Sequence, residues 1–132
     1  MNKKIIGVVA CSAVAASMAI GASASDELIK VGYAQVGHES DWRTANTQNY
    51  QDVFSEENGY ELSFVDCDND NAAQIEAVRN FINQELDYIV IAPIQSAGWD
   101  TVLQEAQDAG IPVIIADREI EASDDLYDAW VG

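Results

Sequence analysis

Basic residues are scarce in this chain. Six Lys and Arg stand against 23 Asp and Glu, a formal net charge of −17. With no cluster of cations to neutralise a phosphate backbone, nucleic acid is excluded as a partner. The acidic residues are scattered rather than gathered, and read as a solvated exterior. Histidine is scarcer still. His38 stands alone in a loop and no G-x-S-x-G elbow exists, so no hydrolytic triad can be assembled. No G-x-G-x-x-G or G-x-x-x-x-G-K-S/T spacing follows the first apolar stretch, which removes the usual phosphate cradles. Of two cysteines, Cys11 falls in the amino-terminal leader. Cys67 is left without an internal disulfide partner and reads as a small hydrophobe at a strand end rather than a nucleophile. The stretch "DCDNDN" (66–71) imitates a calcium loop but carries Asn71 where glycine is needed and Ala77 where a bidentate Glu is needed. Its acids are expected to serve as caps and turn formers. No metal and no cofactor is called for.

What is present begins with "MNKKIIGVVACSAVAASMAIGASAS". Lys3 and Lys4, an apolar run and the small-x-small end at Ala22, Ser23 and Ala24 make residues 1–24 a secretory signal peptide, leaving 25–132 as the mature part. Ser and Gly interrupt the run, so no stable membrane insertion is expected after cleavage. Too few residues separate Lys4 from Cys11 for a lipoprotein signal, so no lipid anchor is expected at Cys11.

The remainder alternates two textures. "IKVGYAQ" (29–35), "YELSFVD" (60–66), "DYIVIAP" (87–93), "IPVIIAD" (111–117) and "LYDAWVG" (126–132) are short apolar runs rich in β-branched and aromatic residues, hence strands. Between them, helical spacing places Tyr50, Val53 and Phe54 on one face of 41–58. It does the same for Ile75, Val78, Phe81 and Ile82 in 71–85, and for Trp99, Val102, Leu103 and Ala106 in 98–109. Asn58-Gly59, Asp70 or Asn71, and Ala109 to Pro112 punctuate the ends. Runs 87–91 and 111–116 are apolar on both faces, as a covered parallel sheet requires. The order predicts an α/β fold with a doubly wound parallel sheet.

Ligands of such sheets bind outside the carboxyl ends of the strands, which selects residues 36–43, 66–71, 93–99 and 117–121. The residues there suit a neutral polyol. Trp42 offers a flat apolar face for the C–H side of a sugar ring, Arg43 and Arg118 offer multi-donor forks, and Glu39 and Asp117 accept hydroxyl hydrogens. Trp99 is expected to pack rather than touch ligand, and Trp130 to lie in the core.

"KVGYAQVGHESDWRTANTQNY" and "QIEAVRNFINQELDYIVIAPIQSAGWDTVLQEAQDAGIPVIIADREI" together resemble the amino-terminal lobe of periplasmic sugar-binding proteins of the ribose-binding type, and most of all their galactofuranose-binding branch. The resemblance covers nearly all of 29–121 and rests on "ESDWR", "IAPIQSAGW" and "PVIIADR" in combination. It implies a non-enzymatic, two-lobed periplasmic carrier that closes on a monosaccharide and hands it to the membrane permease of an ABC-type importer. It assigns sugar contact to Glu39, Trp42, Arg43, Asp117 and Arg118. The branch carries serine where this chain has His38. The lobe of that family continues beyond the point matching Gly132, so 25–132 is read as an incomplete lobe that binds sugar weakly or not at all by itself. A repressor effector domain shares the fold but would carry a DNA-binding headpiece in place of the signal. A small α/β enzyme would need the absent phosphate or metal site. A sensory role beside a membrane receptor remains the alternative to transport.

Overall fold

A β-branched and aromatic run with one glycine, bounded by charged residues before it and a Val-Gly turn after it, has the makings of a central strand. In the computed structural model, which describes residues 27–132, it is one. The signal peptide and Cys11 lie outside the described residues. The elements are β1 (Ile29–Gln35), α1 (Asp41–Val53), β2 (Tyr60–Asp66), α2 (Asn71–Asn83), β3 (Tyr88–Ile91), α3 (Asp100–Asp108), β4 (Val113–Ala116) and β5 (Ala129–Val131). Short 3-10 turns at Glu56–Asn58 and Asp124–Leu126 complete them.

The five strands form one sheet in the order β2-β1-β3-β4-β5, and every pairing is parallel. Winding runs outward from β1 in both directions, so the connections that follow β1 and β3 diverge and leave a crevice between their carboxyl ends. Right-handed crossovers then place α1 on one face and α2 with α3 on the other.

The two faces are packed differently. Beneath α2 and α3 lies the larger core, in which Val78, Phe81, Trp99, Leu103, Ile89, Ile91 and Ile115 are buried together. Phe81 rests on the β1 backbone itself, since a Cβ built at Gly32 would stand 2.6 Å from its ring. Opposite, α1 attaches through aromatic contacts. The Tyr33 and Tyr50 rings stack with centroids 4.0 Å apart, and Phe54 meets Tyr60 edge-on at 5.0 Å. A groove of about 240 Å³ between Ile29, Val31, Phe54, Tyr60, Tyr88, Val90 and Ile114 stays open on that face.

The predicted fold class is what forms, with four differences in detail. The helical pattern over 41–58 stops at Val53, because Phe54 leaves helical dihedrals to reach Tyr60 and a 3-10 turn ending at Gly59 (φ +89°) reverses the chain. Val53, expected on the buried face, is 46 % exposed, since Tyr50 and Phe54 take the apolar contacts that α1 makes with the sheet. The runs 87–93 and 111–117 contribute shorter strands than their apolar length, as Pro93 and Pro112 have no N–H to give a ladder, and 126–132 does so because its first residue belongs to the 3-10 turn Asp124–Leu126. Trp130, expected in the core, is 44 % exposed because β5 is an edge strand paired with β4 alone. Trp99 packs as expected, fully buried, its indole N–H donating to the Gln95 carbonyl at 2.8 Å.

Gly32→Ala should therefore cost about 1–3 kcal/mol through displacement of the Phe81 ring. Thermal unfolding checks this: each kcal/mol lowers Tm by about 4–8 °C in a domain of this size. An unchanged midpoint would mean that the ring yields freely.

Candidate functional site

The first strand-to-helix turn is built by a local cap. Ser40 is extended, and its Oγ accepts from the Arg43 amide at 3.1 Å, which starts α1 at Asp41 with an acid in its first turn. That start point settles where the next two side chains go. Arg43 turns inward over the sheet end and is 3 % exposed, while Trp42 turns outward and is 57 % exposed. The Arg43 Cζ sits 4.8 Å from the Trp42 ring centroid, so one face of the indole covers the guanidinium and the other looks into solvent.

A guanidinium taken out of water must have its donors occupied. Arg43 donates from Nε to Glu39 at 3.4 Å, from Nη1 to the Gln35 side-chain oxygen at 3.3 Å, and from Nη2 to Asp117 at 2.9 Å. Three elements, β1, α1 and the turn after β4, thus converge on one group. Of the five N–H donors of an arginine head, these bonds leave two for other partners.

Asp117 reaches this position through a strained backbone. It adopts φ +71°, its amide donates to the Val131 carbonyl at 2.7 Å, and the Arg118 amide closes a γ-turn onto Ala116 at 2.9 Å. The left-handed region is uncommon for a non-glycine residue, and here it swings the carboxylate from the tip of β4 back towards α1. Arg118 stays half exposed, its Nε 3.8 Å from the same Asp117 oxygen. The structure therefore brings Glu39, Trp42, Arg43, Asp117 and Arg118 to one rim, with Arg43 and Asp117 in direct contact and Arg118 more loosely associated.

Two amides essential to this geometry went unmarked in the sequence. Gln35 and Gln74 are both fully buried. Gln74 donates from Nε2 to the carbonyls of Ala34 and Ala92 at 3.1 and 2.6 Å, and accepts from the Ile94 amide at 2.9 Å, tying the ends of β1 and β3 together where the crevice opens. The available signal was phase: Gln74 shares the apolar helical face of Val78 and Phe81, and Gln35 closes the apolar run that begins at Val31.

The acids of "DCDNDN" act as caps and turn formers. Asp70 Oδ1 accepts from the amides of Ala72 and Ala73, and Asp68 and Asn69 take positive φ so that the Asn69 amide bonds the Val36 carbonyl at 2.7 Å. Cys67 is buried, and burial pushes its thiol up to about 11, which suits the hydrophobe reading and not a nucleophile. Burial likewise pushes the Tyr33 phenol well above its ordinary value.

His38 projects from the rim and pairs through Nδ1 with Asp66 Oδ2 at 2.7 Å. The bond to Asp66 raises the imidazole pKa. Partial burial works against ionisation of Asp66, but the Asp68 amide and the His38 ring outweigh it and hold that carboxyl below its ordinary value. The pair is complete between the ordinary values of 3.8 and 6.5. It fades as pH rises through the raised His38 value, and at the acid end as pH falls through the lowered Asp66 value. An NMR titration of the His38 ring should show a midpoint above 6.5, returning towards 6.5 in Asp66→Asn. Equal midpoints would show the pair unformed in solution.

Comparison with known proteins bears on the family. The periplasmic binding protein domain matches residues 31–129. The galactofuranose-binding protein YtfQ of Escherichia coli is 43 % identical over 124 residues, covering 94 % of this chain and 37 % of that protein. Among solved structures, a Mycobacterium smegmatis protein in complex with β-D-fucofuranose is 45 % identical with a TM-score of 0.75, over 79 % of this chain and 34 % of that one. The periplasmic binding component of an arabinose ABC transporter from Shewanella sp. ANA-3, bound to α- and β-L-arabinofuranose, is 42 % identical with a TM-score of 0.72, over 78 % and 34 %. A more distant likeness, 30 % identical with a TM-score of 0.66 over 79 % and 34 %, is the fructose-binding periplasmic domain of the hybrid two-component system BT1754. This chain spans about a third of the length of these proteins, and the curated relatives are binding proteins, not enzymes. The parallel sheet, the rim at its switch point and these matches place the chain in the periplasmic binding protein family.

Proposed function

We propose that this chain is the amino-terminal part of the substrate-binding component of an ABC-type importer, and that it holds one side of a monosaccharide in its furanose form. The observation that carries the reading is the Trp42–Arg43 pair. A buried, pre-aimed guanidinium lies beneath an indole whose outer face is free, at the switch point of a doubly wound sheet.

The chemistry follows from those positions. A sugar presents a C–H face and a rim of hydroxyls. The open face of Trp42 takes the C–H side, which gains apolar burial without competing for hydrogen bonds. The two uncommitted N–H donors of Arg43 and the half-exposed fork of Arg118 reach sugar oxygens, and Glu39 and Asp117 accept hydroxyl hydrogens. Because Arg43 is already ordered by Gln35, Glu39 and Asp117, little side-chain entropy is lost when the sugar arrives. A ligand held this way on one lobe is enclosed when a second lobe closes by hinge motion. The names of the relatives that bind galactofuranose, fucofuranose and arabinofuranose support the furanose reading.

The periplasm is the proposed location. The leader at 1–24 supports export, and among the described residues no helix is long and apolar enough to cross a membrane. Sensing rather than transport is the second reading, favoured by the likeness to the two-component fructose-binding domain. Sugar-dependent uptake in a permease-containing strain distinguishes the two from sugar-dependent gene expression.

Isothermal titration of the chain with L-arabinose, D-galactose and D-fucose tests the site. Binding by the single side present should be measurable but weaker than about 1 μM, and Trp42→Ala should abolish it. Sub-micromolar affinity would contradict the half-site reading, and binding insensitive to Trp42→Ala would remove the indole from it.

A further inference from the structure

Arg43 is flanked by two carboxylates, yet neither is well placed to fix its plane. The Glu39 side chain is 45 % exposed and 3.4 Å away, and that of Asp117 is 31 % exposed, so water competes at both. The third partner is different. Gln35 is fully buried at the last position of β1. Its Oε1 accepts from its neighbour's amide, Val36, at 3.0 Å and from Arg43 Nη1 at 3.3 Å. Its Nε2 donates to Asn46 Oδ1 at 3.0 Å and to Thr47 Oγ1 at 3.1 Å, both on α1. Asn46 Oδ1 is held in turn by the buried phenol of Tyr33 at 2.9 Å.

A primary amide has two N–H donors and two lone-pair directions, and here all are used. Such an amide cannot rotate without leaving buried polar groups unpaired, which makes its oxygen a fixed point in a water-free setting. It is also neutral. An amide at this position orients the guanidinium without cancelling more of its charge, whereas a third carboxylate would pull Arg43 away from any ligand.

The geometry points to Gln35 as the positioning residue that sets the plane of the Arg43 guanidinium, with Asn46, Thr47 and Tyr33 as its scaffold. Its consequence for ligand affinity rests on the sugar reading of Arg43. Its consequence for Arg43 itself does not.

Side-chain NMR of the 15N-labelled chain separates the two. In the unaltered chain the Arg43 Nη groups should be resolved, because rotation of the head is slow. In Gln35→Met, which keeps length and burial but removes the amide, rotation should speed up at least about tenfold and the signals merge, while backbone signals of Ile89 and Ile91 stay in place. Affinity for L-arabinose should fall at least about tenfold in Gln35→Met. Should Gln35→Met fail to fold, Thr47→Val removes one anchor of the amide and should broaden the Arg43 signals. Resolved, unbroadened Arg43 signals in whichever of these variants folds overturn the inference, even if sugar binds. Merged Arg43 signals in a chain whose unaltered form responds to none of L-arabinose, D-galactose and D-fucose uphold the positioning role and overturn the sugar reading.

Discussion

A cation removed from water is costly unless it is paired, and the arrangement of the strand ends keeps Arg43 paired. Losing one partner of a buried charge costs about 3–5 kcal/mol, far more than an exposed ion pair contributes. Arg43 takes its partners from β1, from the loop that leads into its helix and from the turn after β4, so helix α1 cannot slide along the sheet, nor can the β4 turn relax, without stranding the charge. The ion pair at the surface, Arg79 with Glu105, joins α2 to α3 but is exposed on both sides and carries no such constraint.

The sheet topology makes this convergence possible. Because β1 lies between β2 and β3, the loops after β1 and β3 separate and the amino end of α1 faces a gap that other loops can enter. Gln74 bridges that gap by donating to the carbonyls of Ala34, next to last in β1, and Ala92, the first residue beyond β3. Asp117 then enters from the far side, at the expense of a left-handed residue. A left-handed residue, a buried amide brace and a buried charge thus meet at the carboxyl ends of the strands. That distribution is expected where binding geometry, rather than stability, is the constraint.

Core and rim differ in how readably they are written. Strands β1 and β2 could be read to the residue because their apolar runs end in turn formers, and Asp70 could be read as a cap because Asx side chains bond the amides two and three residues on. Val53 and Trp130 could not be read. Apolar identity says that a residue can be buried, but which line of a helix faces the sheet, and whether a strand is covered, depends on neighbours distant in the chain. The rim shows the same division. Acid, indole and guanidinium are visible as residue types, whereas Gln35 and Gln74 look like unremarkable polar residues until four and three hydrogen bonds are found on them.

From its sequence alone, this chain is committed to alternating strands and helices, to a parallel sheet and to a set of sugar-compatible side chains at the strand tips, because those properties depend on local periodicity, caps and residue chemistry. Which side chain turns inward was decided by the tertiary structure. Trp42 and Arg43 are adjacent, and only the start of α1 at Ser40, together with the arrival of Asp117 from 74 residues away, buries one and exposes the other. Burial of a charge is a collective property, possible only when several remote partners are assembled at once.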